Sequence, residues 1–156
     1  MNRKILCGAD FHEASAWAVA HAAELARLEG AELLLCHFID SPYRYARNVV
    51  YLAPGSDTEV LMGPEVQRGY EELLRATYGD RLEGRVRLIV QDGAPEVEIL
   101  RLARRERADL IVVGEGGPTT QQVLARARCP VMVATGPSSF LLSEARPEPL
   151  KQAAAA

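Results

Sequence analysis

Five short, nearly unbroken apolar segments set the limits on this chain: Lys4–Ala9, Glu32–Ile39, Arg85–Gln91, Asp109–Gly114 and Pro130–Ala134. Runs of that kind mark strands buried on both faces, which is the habit of parallel sheets. The stretches between them read as helices. His12–Glu29 is rich in Ala and Glu and carries apolar positions at Ala16, Val19, Ala20, Ala23 and Ala26. Pro64–Tyr78 holds Tyr70, Leu73, Leu74 and Thr77. Pro95–Arg107 opens on a proline suited to a first helical turn, and Thr119–Arg128 opens on Thr-x-x-Gln, a capping-box spacing. This alternation predicts an α/β fold: a single doubly wound domain built on a five-stranded parallel sheet, with right-handed crossovers laying helices on both faces.

One stretch breaks the alternation. Ser41–Gly63 contains Pro42, Pro54 and Gly55 and shows no clear period. A structureless loop of that length is unusual in a compact domain. Ser56-Asp57-Thr58-Glu59 has capping-box spacing, which predicts a helix starting there and breaking at Gly63-Pro64. Beyond Gly136 the composition changes to three prolines and four closing alanines. The expected organisation is a domain over residues 1–136 and a tail over 137–156, mostly extended or disordered, in which Phe140-Leu141-Leu142 could dock on the core or a partner.

The 156 residues suit one domain, and 48% hydrophobic with 25% charged residues is a globular composition that excludes a fibrous or wholly disordered chain. A formal net charge of -3 argues against a broad electrostatic grip on nucleic acid or an anionic membrane, so neither is an expected partner. The apolar runs are too short to span a bilayer, and the N-terminus lacks the pattern of a signal peptide. Cys7, Cys36 and Cys129 have no C-x-x-C spacing, which argues against a disulfide framework or a zinc site. A cytoplasmic protein is the reading.

Open parallel sheets bind ligands beyond the C-terminal ends of their strands, where the strand order reverses. Two strand ends carry unusual residues: Ala9-Asp10-Phe11-His12 after the first strand, and Gly114-Glu115-Gly116-Gly117-Pro118-Thr119-Thr120 after the fourth. If those strands are neighbours, the two loops flank one crevice. Glycines let backbone approach a ligand, and the following helix offers free N–H groups and a positive dipole end to an anion. A glycine-rich turn leading into a helix is also common without any ligand.

The chain resembles the universal stress protein family over nearly all of residues 2–135. The resemblance rests on Lys4-Ile-Leu-Cys-Gly-Ala-Asp10 with Ser15, Ala23-x-Leu25-Ala26, Gly30-Ala-Glu-Leu-Leu-Leu-Cys-His37-Phe38, Gly93-Ala-Pro95 before Ile99-Leu100, Ala108-Asp-Leu-Ile-Val-Val-Gly114, and Val123-Leu124 followed by Pro130-Val131. It implies the sheet order 3-2-1-4-5 and a switch point between the first and fourth strands. Many members of the family bind ATP, through an aspartate after the first strand, a residue of the second strand, and the motif Gly-x2-Gly-x9-Gly-Ser/Thr. Carried over, the implied ligand contacts are Asp10, Phe38, Gly114, Gly116 and Gly117, with Thr119 and Thr120 as nearby hydroxyls.

The phosphate motif departs from the family pattern. Gly114-Glu-Gly-Gly117 fits its opening, but counting back from Cys129-Pro130-Val131 makes Gly117 its final glycine, so the segment is about ten residues short. Pro118 then stands at the hydroxyl position, with neither O–H nor N–H. A polyphosphate needs several converging donors, and Glu115 adds negative charge beside the site. The expectation is impaired ATP binding, or a smaller adenine nucleotide such as AMP.

Other features have plainer readings. Asp10 could cap the following helix as well as touch a ligand. His12 reads as a surface histidine in a first turn, and His37 as a satisfied structural residue that the family often shares. Asp92 ends the third strand, but the acidic pair and the lysine of a receiver domain are missing. Neither Gly-x-Ser-x-Gly nor a Walker motif occurs. Arg101, Arg104, Arg105 and Arg107, mixed with Glu96, Glu98 and Glu106, read as a solvated helix face with i,i+4 pairs rather than a phosphate-binding helix. Trp17, His21, Glu24 and Leu28 form a helical stripe that reads as a packed edge, and Tyr43, Tyr45 and Tyr51 could cover a crevice.

Under the implied order the fifth strand, Pro130, Val131, Met132, Val133 and Ala134, is an edge. The family commonly dimerises through it, so the resemblance implies a homodimer. The functional reading is a non-enzymatic stress-response module with an altered adenine-nucleotide crevice. The alternative is an ATP- or AMP-binding stress protein with slow ATPase activity, for which His12 and Glu115 are the candidate bases.

Overall fold

The computed structural model describes residues 2–40, 50–52, 59–61 and 64–136. Along the chain run β1 (Lys4–Gly8), α1 (Glu13–Glu29), β2 (Glu32–Ile39), β3 (Val50–Leu52), β4 (Glu59–Leu61), α2 (Pro64–Tyr78), a 3-10 turn (Gly79–Arg81), β5 (Val86–Asp92), α3 (Pro95–Glu106), β6 (Leu110–Gly114), α4 (Gly117–Arg126) and β7 (Val131–Ala134). Five of the strands form one parallel sheet in the order β5-β2-β1-β6-β7. In chain order of its members this is 3-2-1-4-5, and the reversal falls between β1 and β6.

Side-chain alternation along the central strands divides the core into two layers. Ile5 and Cys7 of β1 and Leu33 and Leu35 of β2 pack with α1 and with Leu74 and Tyr78 of α2. Leu6, Leu34, Cys36 and Phe38 face the other way, onto Ile99, Leu102 and Ala103 of α3 and Val123 of α4. Because both faces are covered, these strands read as unbroken apolar runs instead of alternating ones. The helix α1 buries mainly alanines against the sheet, with Ala18 and Ala22 at 0% exposure, so its backbone lies close to the strands. It stops at Gly30, whose φ of 63° supplies the left-handed turn that closes the last carbonyls.

The helix expected from Ser56–Glu59 is not formed at its end: Glu59–Leu61 is a strand. It pairs antiparallel with Val50–Leu52, outside the main sheet. Val50 and Val60 are β-branched and suit the pleat, and that preference outweighs the capping-box spacing here. The helix α4 begins at Gly117 and not at Thr119, so the Thr-x-x-Gln spacing does not form its cap. The tail at 137–156, Tyr43 and Tyr45 lie outside the described residues, and Tyr51 is described only as part of β3.

Candidate functional site

Because β1 and β6 are neighbours, the loops that follow them meet. Between them, at the C-terminal ends of the strands, is a crevice of about 200 Å³. Asp10, Phe38, Gly114, Gly116, Gly117, Thr119 and Thr120 all line it. The structure thus brings together every ligand contact inferred from the sequence.

The first wall is the turn from β1 into α1. Phe11 there has a φ of 67°, an unusual conformation for a residue with a side chain. Asp10 holds it in place: its Oδ1 accepts the His12 N–H at 2.9 Å, a short Asx turn. Asp10 does not cap α1; the N-cap position belongs to His12, which makes no side-chain cap itself. The Asp10 N–H donates to Ser15 Oγ at 2.9 Å, and Ser15 Oγ lies 3.5 Å from the Tyr78 hydroxyl. Burial pushes the Tyr78 hydroxyl up to about 12. The remaining Asp10 oxygen, Oδ2, has no hydrogen bond among the described residues, and the side chain is exposed toward the crevice.

His37 supports this turn from below. The Ala9 carbonyl can only accept, so Nδ1 carries the proton and donates to it at 2.7 Å. The ring lies 4.9 Å from Phe11 and 4.8 Å from Tyr70, centroid to centroid. Burial lowers its pKa below the ordinary histidine value, so the neutral tautomer is the resident form. It braces the β1–α1 turn and also lines the crevice. Next to it Phe38, 7% exposed, turns to the α3 side and forms an apolar wall.

The second wall is the turn from β6 into α4. At Gly114 a Cβ would stand 2.6 Å from both the carbonyl carbon and the oxygen of Ala14, so only glycine lets the end of β6 meet α1. Gly116 and Gly117 have φ of 81° and 80°, where side-chain-bearing residues are strained. Within this turn most polar groups are already engaged. The Glu115 N–H donates to Ala134 O at 3.1 Å, and the Thr120 hydroxyl donates to Gly114 O at 2.6 Å. Pro118 has no N–H. The donors left over are the N–H groups of Gly116, Gly117 and Thr119, which have no partner within α4, and the Thr119 hydroxyl, which makes no hydrogen bond among the described residues. Glu115 is exposed on the rim.

Among the lining residues that sequence reasoning did not place in the crevice are Ala14, Pro95 and Ile99. Ala14 and Gly114 are a hundred residues apart, and only their contact shows that both must be small. Ile99 Cδ1 would lie 3.3 Å from a Cβ on Gly8, which places it as the floor. Among the described residues, no group of His, Cys, Asp and Glu is arranged to hold a metal ion.

The fold, with its crevice at the reversal of strand order, agrees with the comparisons to known proteins. The universal stress protein family profile matches residues 1–135, and the chain belongs to that family. Two universal stress proteins of Methanocaldococcus jannaschii are each 26% identical to it. The first matches over 153 residues, 85% of this chain and 94% of the relative, and the second over 147 residues, 86% and 83%. Two solved structures share the fold. One is a universal stress protein in complex with cAMP (TM-score 0.60, 20% identity, 85% of this chain and 96% of that one). The other is the universal stress protein of Archaeoglobus fulgidus in complex with dAMP (TM-score 0.58, 21% identity, 86% and 98%).

Proposed function

We propose that this chain is a non-enzymatic stress-response module whose crevice takes an adenine nucleotide with a short phosphate tail and binds ATP poorly. The observation that carries this reading is the donor shortage in the Gly114–Thr120 turn. Three amides and one hydroxyl suffice for a single phosphate, and a second or third phosphate would meet Pro118 and the Glu115 carboxylate. Two solved relatives are in complex with cAMP and dAMP, which supports an adenine nucleotide as the ligand class. Phe38 would bound the adenine, and Asp10 Oδ2 would accept from its amine or from a ribose hydroxyl. The slow-ATPase alternative gains nothing from the geometry, since His12 is absent from the crevice lining and Glu115 would repel a γ-phosphate.

The reading extends to assembly and place. β7 pairs with β6 on one side only and forms an edge of the sheet. Antiparallel pairing with a second copy through Pro130–Ala134 would satisfy that edge and make a two-fold homodimer. The functional unit is residues 1–136, with 137–156 as an appended tail, and the protein works in the cytoplasm. Among the described residues no helix is long and apolar enough to cross a membrane.

Calorimetric titration of the full chain with AMP, ADP and ATP tests the site. ATP is expected to bind about tenfold more weakly than AMP, with ADP between them, because the added phosphates find no donors and meet the Glu115 carboxylate. Asp10→Ala should weaken all three. ATP binding about tenfold tighter than AMP would overturn the reading. A monodisperse monomer in sedimentation at micromolar concentration would defeat the dimer.

A further inference from the structure

At the opposite end of the strands from the nucleotide crevice, α3 and α4 end side by side, and a second crevice of about 170 Å³ opens between them. Its floor is apolar, formed by Leu100, Ile111 and Ala127. Its rim carries four guanidinium groups: Arg104 and Arg107 from the end of α3, and Arg126 and Arg128 from the end of α4. None of the four makes an ion pair or a side-chain hydrogen bond among the described residues.

The solvated, ion-paired face expected from the sequence accounts only for the other arginines of α3. Arg101 pairs with Glu98 at 2.8 Å, three residues away, and Arg105 reaches Glu106 at 3.7 Å. The carboxylates near the groove are already committed. Glu106 is held by Arg87 and Lys4, and Asp109 Oδ2 accepts the Lys4 N–H at 2.8 Å. The negative ends of two helix dipoles would each be met by about one cation. Four free guanidiniums exceed that need, in a chain whose net charge is -3.

We propose that this groove is a second binding site, for a small amphiphilic anion: an aliphatic chain on the apolar floor, with a carboxylate or phosphate monoester head among the arginines. Planar guanidinium groups hold either head through paired N–H donors, and an apolar floor with a cationic rim matches a molecule with both features. The groove ends at Cys129 and contains none of the β7 residues Val131–Ala134.

The chain carries its own reporter. Cys129 lines the groove and is partly exposed, whereas Cys7 and Cys36 are at 0% exposure, so a thiol reagent acting on the native protein reads Cys129. Monomeric octyl phosphate and octanoate should slow that reaction saturably and bind at least about tenfold more tightly than inorganic phosphate, which has the head without the chain. Octanol, the chain without the charge, should also bind more weakly. Whichever of the two amphiphiles binds better identifies the head group. Arg104→Gln combined with Arg126→Gln should weaken binding by about tenfold with an unchanged melting temperature, and the paired Arg101→Gln should leave it as it was. Equal binding of inorganic phosphate and octyl phosphate would overturn the proposal, leaving only diffuse charge. So would octanol binding as tightly as the anions, or binding to anionic phosphatidylglycerol vesicles without binding of either monomeric amphiphile.

Discussion

The two loops that frame the crevice between β1 and β6 reach it by opposite means. After β1 the chain closes on itself with side chains: Asp10 takes the His12 N–H, Ser15 takes the Asp10 N–H, and Tyr78 and His37 brace the turn. After β6 the chain has almost no side chains to use, and glycines set the path. The first loop therefore spends its donors internally and leaves one carboxylate oxygen outward. The second leaves backbone N–H groups outward, and its two internal bonds serve to hold β6, α4 and β7 together. A ligand that bridges them would meet an acceptor on one side and donors on the other, as a nucleoside and its phosphate require.

Replacements in each loop can break this contrast. The largest effect is expected at Gly114→Val, where the new Cβ meets the Ala14 backbone. A loss of about 3 kcal/mol in denaturant unfolding should result. A variant as stable as the parent would mean that β6 and α1 do not approach as described. Ser15→Ala comes next, because it strands the Asp10 N–H and takes one partner from the buried Tyr78 hydroxyl, and it should cost about 2 kcal/mol. Thr120→Val should cost about 1 kcal/mol by leaving Gly114 O without its donor, while Thr120→Ser restores the parent value. If the serine variant were as weak as the valine one, the hydroxyl would not be the group that matters.

The smallest effect is a pH dependence from His37. Its folded pKa lies below the unfolded value near 6.5, so the folded state binds fewer protons there. Stability should be full above that value and fall as the pH drops from it toward the folded pKa. His37→Gln should flatten this part of the profile. A parent profile that is already flat across the window would show that His37 titrates freely.

Much of this architecture could be read from the chain. The five sheet strands fall within a residue or so of their apolar runs, because a strand buried on both faces must be apolar throughout. Asp10 and the glycines stood out because they interrupt such runs at their ends. Other points were not legible. The strand at Glu59–Leu61 depends on a partner nine residues upstream, which outweighed a local capping pattern. That α4 starts at Gly117 depends on Gly116 and Gly117 adopting positive φ, which the spacing of Thr119 and Gln122 cannot show.

Local chemistry written along the chain determined the elements and their succession, and the family resemblance implied which loops would meet. Only the folded molecule decided which polar groups were spent and which were left over. Thr120 looked like a ligand hydroxyl until its bond to Gly114 O appeared, and Arg104 and Arg107 looked paired until the carboxylates near them proved to be engaged elsewhere. The physical reason is that apolar periodicity is a property of neighbours in sequence, whereas the satisfaction of a donor or a charge depends on groups brought close from far along the chain.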